Sequence, residues 1–213
     1  MNDERELMVL PLVVRLERAA PPERADALEA AAMAVLGVLA DPGEWSEELH
    51  AWQATGRIRK VVRRARGAEW TRVLALPGRT VAHRTAEVRV HPPIPLDGWP
   101  KDLSRLQVSG TDLADTADPG PAVPPVLWEN PALEMTAGKA MAQAGHAAQL
   151  AWWSCGPAER ADWIARGLAV SVRTSPSQEH FDKLAAGGLP VVRDAGFTEI
   201  APGSCTFVAE LTT

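Results

Sequence analysis

Trp163-Ile164-Ala165-Arg166-Gly167 follows Trp52-Gln53-Ala54-Thr55-Gly56 at a spacing of 111 positions, and reading outward from the two copies organises the whole chain. Similarity at a long fixed spacing marks a repeated structural unit. Each copy leads into an apolar stretch: Val61-Val62 among cations in the first, Val170-Ser171-Val172-Arg173 in the second. Each then reaches a Leu-Pro pair, Leu76-Pro77 and Leu189-Pro190. Periodicity predicts strand 7–16, an Ala-rich helix 22–39, helix 44–54, strand 57–63, helix 68–75 and strands 80–90 and 103–108. The second half predicts strand 125–129, an Ala-rich helix 137–152, helix 157–166, strand 168–173, helix 176–186 and strands 189–193 and 205–211. Between them, polar Ser109 to Asp118 and the Pro119 to Pro125 run read as a connector. The expected organisation is thus a unit at 1–108, a linker at 109–125 and a second unit at 126–213. Alternating strands and helices indicate α/β layers, and units this small are expected to pack together in one chain.

The chain has 213 residues and a net charge of −5, with eight Trp and no Tyr. Its longest early apolar run, Met8 to Val14, is too short to span a membrane and has no cleavage pattern, so a buried strand and a cytoplasmic protein are expected. Two isolated cysteines give no disulfide framework, and the five histidines show no metal-ligand spacing, so neither metal nor other cofactor is expected. The charges are unevenly placed. Gly56 to Arg66 holds six cations in eleven residues. Arg59, Lys60 and Arg63 in this run are candidates for contact with nucleic-acid phosphates, the alternative being a solvated face paired with Glu44, Glu47 and Glu48.

The chemistry concentrates in Gly138-Lys139-Ala140-Met141-Ala142-Gln143-Ala144-Gly145-His146-Ala147. Lys139, Gln143 and His146 recur at i, i+4 and i+7, which lines them on one face of a helix otherwise built from small apolar residues. With Thr136 as N-cap, Lys139 falls in the first turn, where an anion would suit both the lysine and the free backbone N–H groups. A solvated helix end with a surface lysine is the plain alternative. Carried back by about 110 positions, the stripe falls near Leu28, Ala32 and Val35, so the first copy is expected to keep the scaffold without the chemistry. Asp194, after the apolar Leu189 to Val192 run and before a Gly turn, is placed at a strand end, where α/β proteins build sites. An Asx turn closing on Gly196 would explain it equally.

Met135 to Ala147, together with Asp194-Ala195-Gly196-Phe197-Thr198-Glu199-Ile200-Ala201-Pro202-Gly203-Ser204-Cys205-Thr206, resembles the two signature segments of the type-2 peptidyl-tRNA hydrolases, in the same order. That resemblance covers most of residues 126–213. It implies a three-layer α-β-α module with a mixed four-stranded sheet, and peptidyl-tRNA as substrate. It also implies Lys139, His146, Asp194 and Thr198 as catalytic residues and Gly138, Gln143, Gly196 and Ser204 as substrate contacts. Two departures stand out. The first strand of this half, Val126-Leu127-Trp128-Glu129-Asn130, is bulkier and more polar than the family's aliphatic run, which bears on how substrate approaches. The half also carries six Lys and Arg against nine Asp and Glu, poor for a polyanion unless the basic run of the first copy lies beside the site. The competing expectation is a non-catalytic adaptor that keeps the fold and binds RNA or protein.

Overall fold

A computed structural model describes residues 7–196 and 200–211. The first half builds β1 (Met8–Arg15), α1 (Arg24–Ala40), α2 (Ser46–Ala54), β2 (Lys60–Ala65) and α3 (Ala68–Leu74). It continues with β3 (Arg79–His83), β4 (Ala86–Val90), β5 (Ile94–Pro95) and α4 (Lys101–Ser104). The second half builds β6 (Val126–Glu129), α5 (Ala137–Ser154), α6 (Pro157–Ala165), β7 (Ser171–Thr174), α7 (Gln178–Ala186), β8 (Val191–Arg193) and β9 (Cys205–Glu210).

The two sheets share one topology. The first runs β2-β1-β4-β3 and the second β7-β6-β9-β8, and in each the first pair is parallel and the other two antiparallel. The Trp–Gly pentapeptide is realised as one repeated device. Gly56 and Gly167 end α2 and α6 in the left-handed conformation, at φ +67 and +70, where glycine carries no Cβ penalty. The indoles of Trp52 and Trp163, both buried, then donate to the carbonyls of Arg59 at 3.0 Å and Ala169 at 2.9 Å, pinning the chain as it enters β2 and β7.

α1 and α5 lie together between the two sheets. Each covers its own sheet and reaches one strand of the other, α1 touching β7 and α5 touching β2. Twelve of the seventeen residues of α1 and thirteen of the eighteen of α5 are buried, as expected of helices surrounded on all sides rather than along one stripe. Their alanines permit close approach. At Gly145 an added Cβ would lie 3.0 Å from Val35 and 3.2 Å from Lys60. One continuous hydrophobic core therefore runs through both halves, from Leu10 and Leu12 to Phe207 and Ala209. A charged tie joins them as well: Arg24 grips buried Glu129 with two bonds of 2.8 and 2.6 Å. Residues 109–125 form no helix or strand, yet they cap both central helices. Thr111 O accepts from Ala137 N, Ala114 O from Arg24 N, and Asp115 Oδ1 from Ala25 N.

Three sequence expectations are corrected. The 80–90 stretch is a hairpin of two strands, closed by Arg84 and Thr85, because the long alternating pattern contains a turn that polarity alone did not expose. Residues 103–108 are no strand: Leu103 and Leu106 face a small core with Trp70 and Val73, at helical spacing, and only Gln107 bridges to Arg64. The first sheet gains a fifth strand, β5, paired to the start of β1. Among the described residues no helix is long and apolar enough to cross a membrane.

Candidate active site

The Lys139, Gln143, His146 stripe faces a cavity of about 400 Å³ between the two halves. The second half supplies Gly138 and the stripe from α5, with Arg193 and Asp194 from the end of β8. The first half supplies residues 56–62 and Val108. The site is thus an interface within one chain.

Thr136 accepts from Lys139 N at 3.4 Å, so the helix starts where the sequence placed it, with Lys139 in its first turn. The ammonium donates to Asp194 Oδ1 at 2.5 Å, and Gln143 Nε2 donates to the same oxygen at 2.8 Å. The second carboxylate oxygen accepts from Gly196 N at 2.8 Å, so the Asx turn and the site coexist in one residue. Gly196 has φ +76, and a Cβ there would lie 2.3 Å from Pro202, which makes glycine a requirement of this turn. Gln143 is buried, and its Oε1 accepts from the Thr206 hydroxyl at 2.8 Å. With both ends of its amide engaged, Gln143 holds Asp194 in place on the cavity wall. Thr206 is the partner that residue-by-residue reading of the motif passed over; a buried β-strand threonine gives no sequence signal of its own.

His146 is half-buried on the cavity wall. Its Nδ1 lies 3.2 Å from Lys60 Nζ, which also donates to Gln149 Oε1 at 2.5 Å and reaches Ile58 O at 3.5 Å, 4.9 Å from the centre of the Trp52 ring. Lys60 therefore enters the site from the other half of the chain. Burial pushes its ammonium well below the usual lysine range. Burial, then the charges of Lys60 and Lys139, push His146 well below the ordinary imidazole value, which leaves the ring neutral at neutral pH. The tautomer follows the lysine. A charged Lys60 donates to Nδ1 and leaves Nε2 carrying the proton, whereas a neutral Lys60 accepts from Nδ1–H and leaves Nε2 a base.

The remaining sequence candidates divide. Arg59 lines the cavity beside Lys60. Arg63 does not: it lies three residues along β2 from Lys60 and, by the pleat, on the opposite face. There its guanidinium covers the Trp99 ring at 4.3 Å and donates to Ser104 O and Leu106 O. Ser204 contributes its backbone, its carbonyl accepting from Asp194 N at 2.9 Å. Thr198 lies outside the described residues. Trp128, in the strand that departs from the family pattern, points away from the cavity, donating to Glu210 at 2.7 Å and meeting His180 edge-on at 5.0 Å. The bulky strand leaves the cavity untouched.

Counted from each N-cap, the first-half residue equivalent to Lys139 is Asp26, with Ala30 for Gln143 and Met33 for His146, replacing Leu28, Ala32 and Val35. The spacing between halves is 113 at these helices and 111 at the tryptophans, so one constant offset misplaced the stripe by two residues. Asp26, Glu29 and His83 do converge in the first half, within 4.8 Å. Arg84 bonds both carboxylates at 3.2 Å and Arg173 bonds Glu29 at 2.9 Å, so guanidinium groups already balance this charge and the cluster is an ion network.

Compared with curated proteins, the chain has no match. Residues 126–210, within the C-terminal half of the chain, match the family model described as peptidyl-tRNA hydrolase PTH2.

Proposed function

We propose that the chain hydrolyses the ester joining a peptide, or an N-blocked aminoacyl group, to the 3′ end of tRNA, and that it does so in the central cavity. The observation that carries this reading is the Lys139–Asp194 pair, held by Gln143 on the cavity wall inside the stretch that matches the family. A water molecule attacks the ester carbonyl and passes its proton to Nε2 of His146, neutral and oriented through Nδ1 by Lys60. Lys139, fixed by Asp194 at the N-terminus of α5, faces the negative charge that develops on the carbonyl oxygen. The carbon–oxygen bond to the ribose then breaks, and His146 returns the proton to the departing hydroxyl. Thr198 and Gly138 are assigned to substrate contact, with Arg59 beside the entering RNA. The two halves act as a pseudo-dimer formed by tandem duplication, one half active and one degenerate, in a cytoplasmic protein of translation. Shared strand order and the repeated Trp–Gly device support this.

Single-turnover release of an N-acetylaminoacyl group from tRNA tests the proposal. Lys139→Met and Asp194→Asn are each expected to slow release by about a hundred- to a thousandfold. Wild-type protein that binds tRNA but leaves the ester intact would replace hydrolysis by the adaptor role.

A further inference from the structure

A second cleft, of about 540 Å³, opens at the far end of β2 and is lined by Arg18, Arg64, Arg66 and Arg105, with Leu16, Ala65, Gln107 and Glu69. Four guanidinium groups face one carboxylate. Arg64 is built in: it bonds Gln107 Oε1 and donates to Gly110 O at 2.5 Å, while its backbone N donates to Gln107 O at 3.1 Å. Arg18, Arg66 and Arg105 are exposed, and among the described residues none of the three forms an ion pair. Nearby Glu17 is committed elsewhere, to Gly67 N at 3.0 Å and Arg15. Gathering like charges in a concave surface is unfavourable until an anion enters, and the planar guanidinium fork matches phosphate oxygens. Among the described residues no aromatic side chain lines the cleft, so these supply no platform for stacking bases.

The cleft adjoins the central cavity. Gln107 lines the one and Val108 the other, and β2 joins them, with Lys60 at the cavity and Ala65 at the cleft. Five strand residues span about 17 Å at roughly 3.3 Å each. A stacked nucleic-acid strand covers that distance in about five nucleotides at 3.4 Å per step. We propose that the Arg18, Arg64, Arg66, Arg105 cleft holds backbone phosphates of the RNA whose 3′ end occupies the central cavity, about five nucleotides from the ester. The assignment of that end rests on the hydrolase reading. It gives the first half a role of its own: the half that lost the catalytic stripe supplies the polyanion grip that the acidic second half lacks, without reading sequence.

The test uses the full chain and N-acetylaminoacyl esters on tRNA 3′ fragments of two and twelve nucleotides, comparing wild type with Arg18→Gln/Arg66→Gln/Arg105→Gln. These three residues are exposed, and Arg64, which holds the 107–110 segment, is left in place. Wild type is expected to favour the long ester by about tenfold in kcat/KM, and the triple variant to lose that preference. Three lost phosphate contacts should also flatten the salt dependence of binding to a single strand by about 2 logarithmic units per decade. An undiminished length preference and salt slope in the variant would overturn the proposal. Fluorescence anisotropy with the uncharged twelve-nucleotide RNA separates it from the hydrolase reading. If wild type cleaves neither ester, that reading fails, and the cleft still stands or falls on whether the triple variant binds this RNA about tenfold more weakly or equally well.

Discussion

The two halves of the chain place an ion pair at the same two positions and reverse its sign. In the second half Lys139, third residue of α5, meets Asp194, the residue after β8; in the first, Asp26, third residue of α1, meets Arg84, the residue after β3. The length of the connection after each strand makes the difference. Eleven residues, 194–204, separate β8 from β9, and this longer connection carries Gly196 and Pro202 around the pair beside the cavity. Two residues, Arg84 and Thr85, separate β3 from β4, and they close directly onto α1. Thr85 gives Asp26 both its amide and its hydroxyl, at 3.1 and 2.6 Å, while His83 and Arg84 fill in around Glu29. The same scaffold thus sets an ion pair on a cavity wall where its loop is long and a structural lock where its loop is short. On the proposed function, fold and activity separate along the chain, as expected when function lives in a site set on a general framework.

Exchanging residues between equivalent positions sharpens this contrast. His91 follows β4 in the first half, and Leu211 follows the equivalent β9 in the second. Burial pushes His91 down to about 4, against the bond to Pro77 O that favours its cation, with Arg89 adding to the fall. The folded chain therefore binds fewer protons than the unfolded chain, so this contribution is complete above pH 6.5 and is lost as pH falls toward 4. At 1.36 kcal/mol per pH unit the loss is about 3 kcal/mol. Urea unfolding of His91→Leu at pH 7 and pH 4.5 is expected to show a shallower acid decline than wild type; equal declines would remove His91 from the acid sensitivity.

A smaller effect is expected in the site itself. Lys60 follows the carbonyl that accepts the Trp52 indole, and Val170 holds that place in the second half. Lys60→Val is expected to slow single-turnover release by about ten- to a hundredfold and, because buried Gln149 Oε1 loses its donor, to lower stability by about 1–3 kcal/mol. The more specific sign lies in the pH profile. Wild-type release is expected to rise as Lys60 loses its proton and frees His146 Nε2 to act as a base, and the variant is expected to lack that rise. An unchanged profile would separate Lys60 from the chemistry. Least affected is Asp26→Asn, which weakens the Arg84 lock by about 1–2 kcal/mol in denaturant unfolding while release continues at the wild-type rate. A marked loss of activity would mean that the first half has chemistry of its own.

Much of the fold was legible in the sequence because the repeated Trp–Gly pentapeptide and the alternating strands and helices carry their own geometry. The central helices were readable from alanine content, and Lys139, Gln143, His146 and Asp194 from spacing and motif. Other features depend on tertiary contact. Whether Lys60 or Arg63 faced the site turned on strand pleat and on which half packed against β2, and neither is encoded locally. The sign reversal at Asp26 and Arg84 was hidden by two residues of drift between the halves, which slides a helical stripe onto another face. The arginine cleft joins Arg18, Arg64, Arg66 and Arg105 from separate segments, so no single window of sequence displayed it.

The most direct measurement pairs the two locks: single-turnover release of N-acetylaminoacyl-tRNA by Asp194→Asn and by Arg84→Gln, side by side at pH 7.5. One active and one structural pair requires Asp194→Asn to lose at least about a hundredfold and Arg84→Gln to stay within about threefold of wild type. Equal losses in both variants, or full activity in Asp194→Asn, would contradict the assignment of catalysis to the second half.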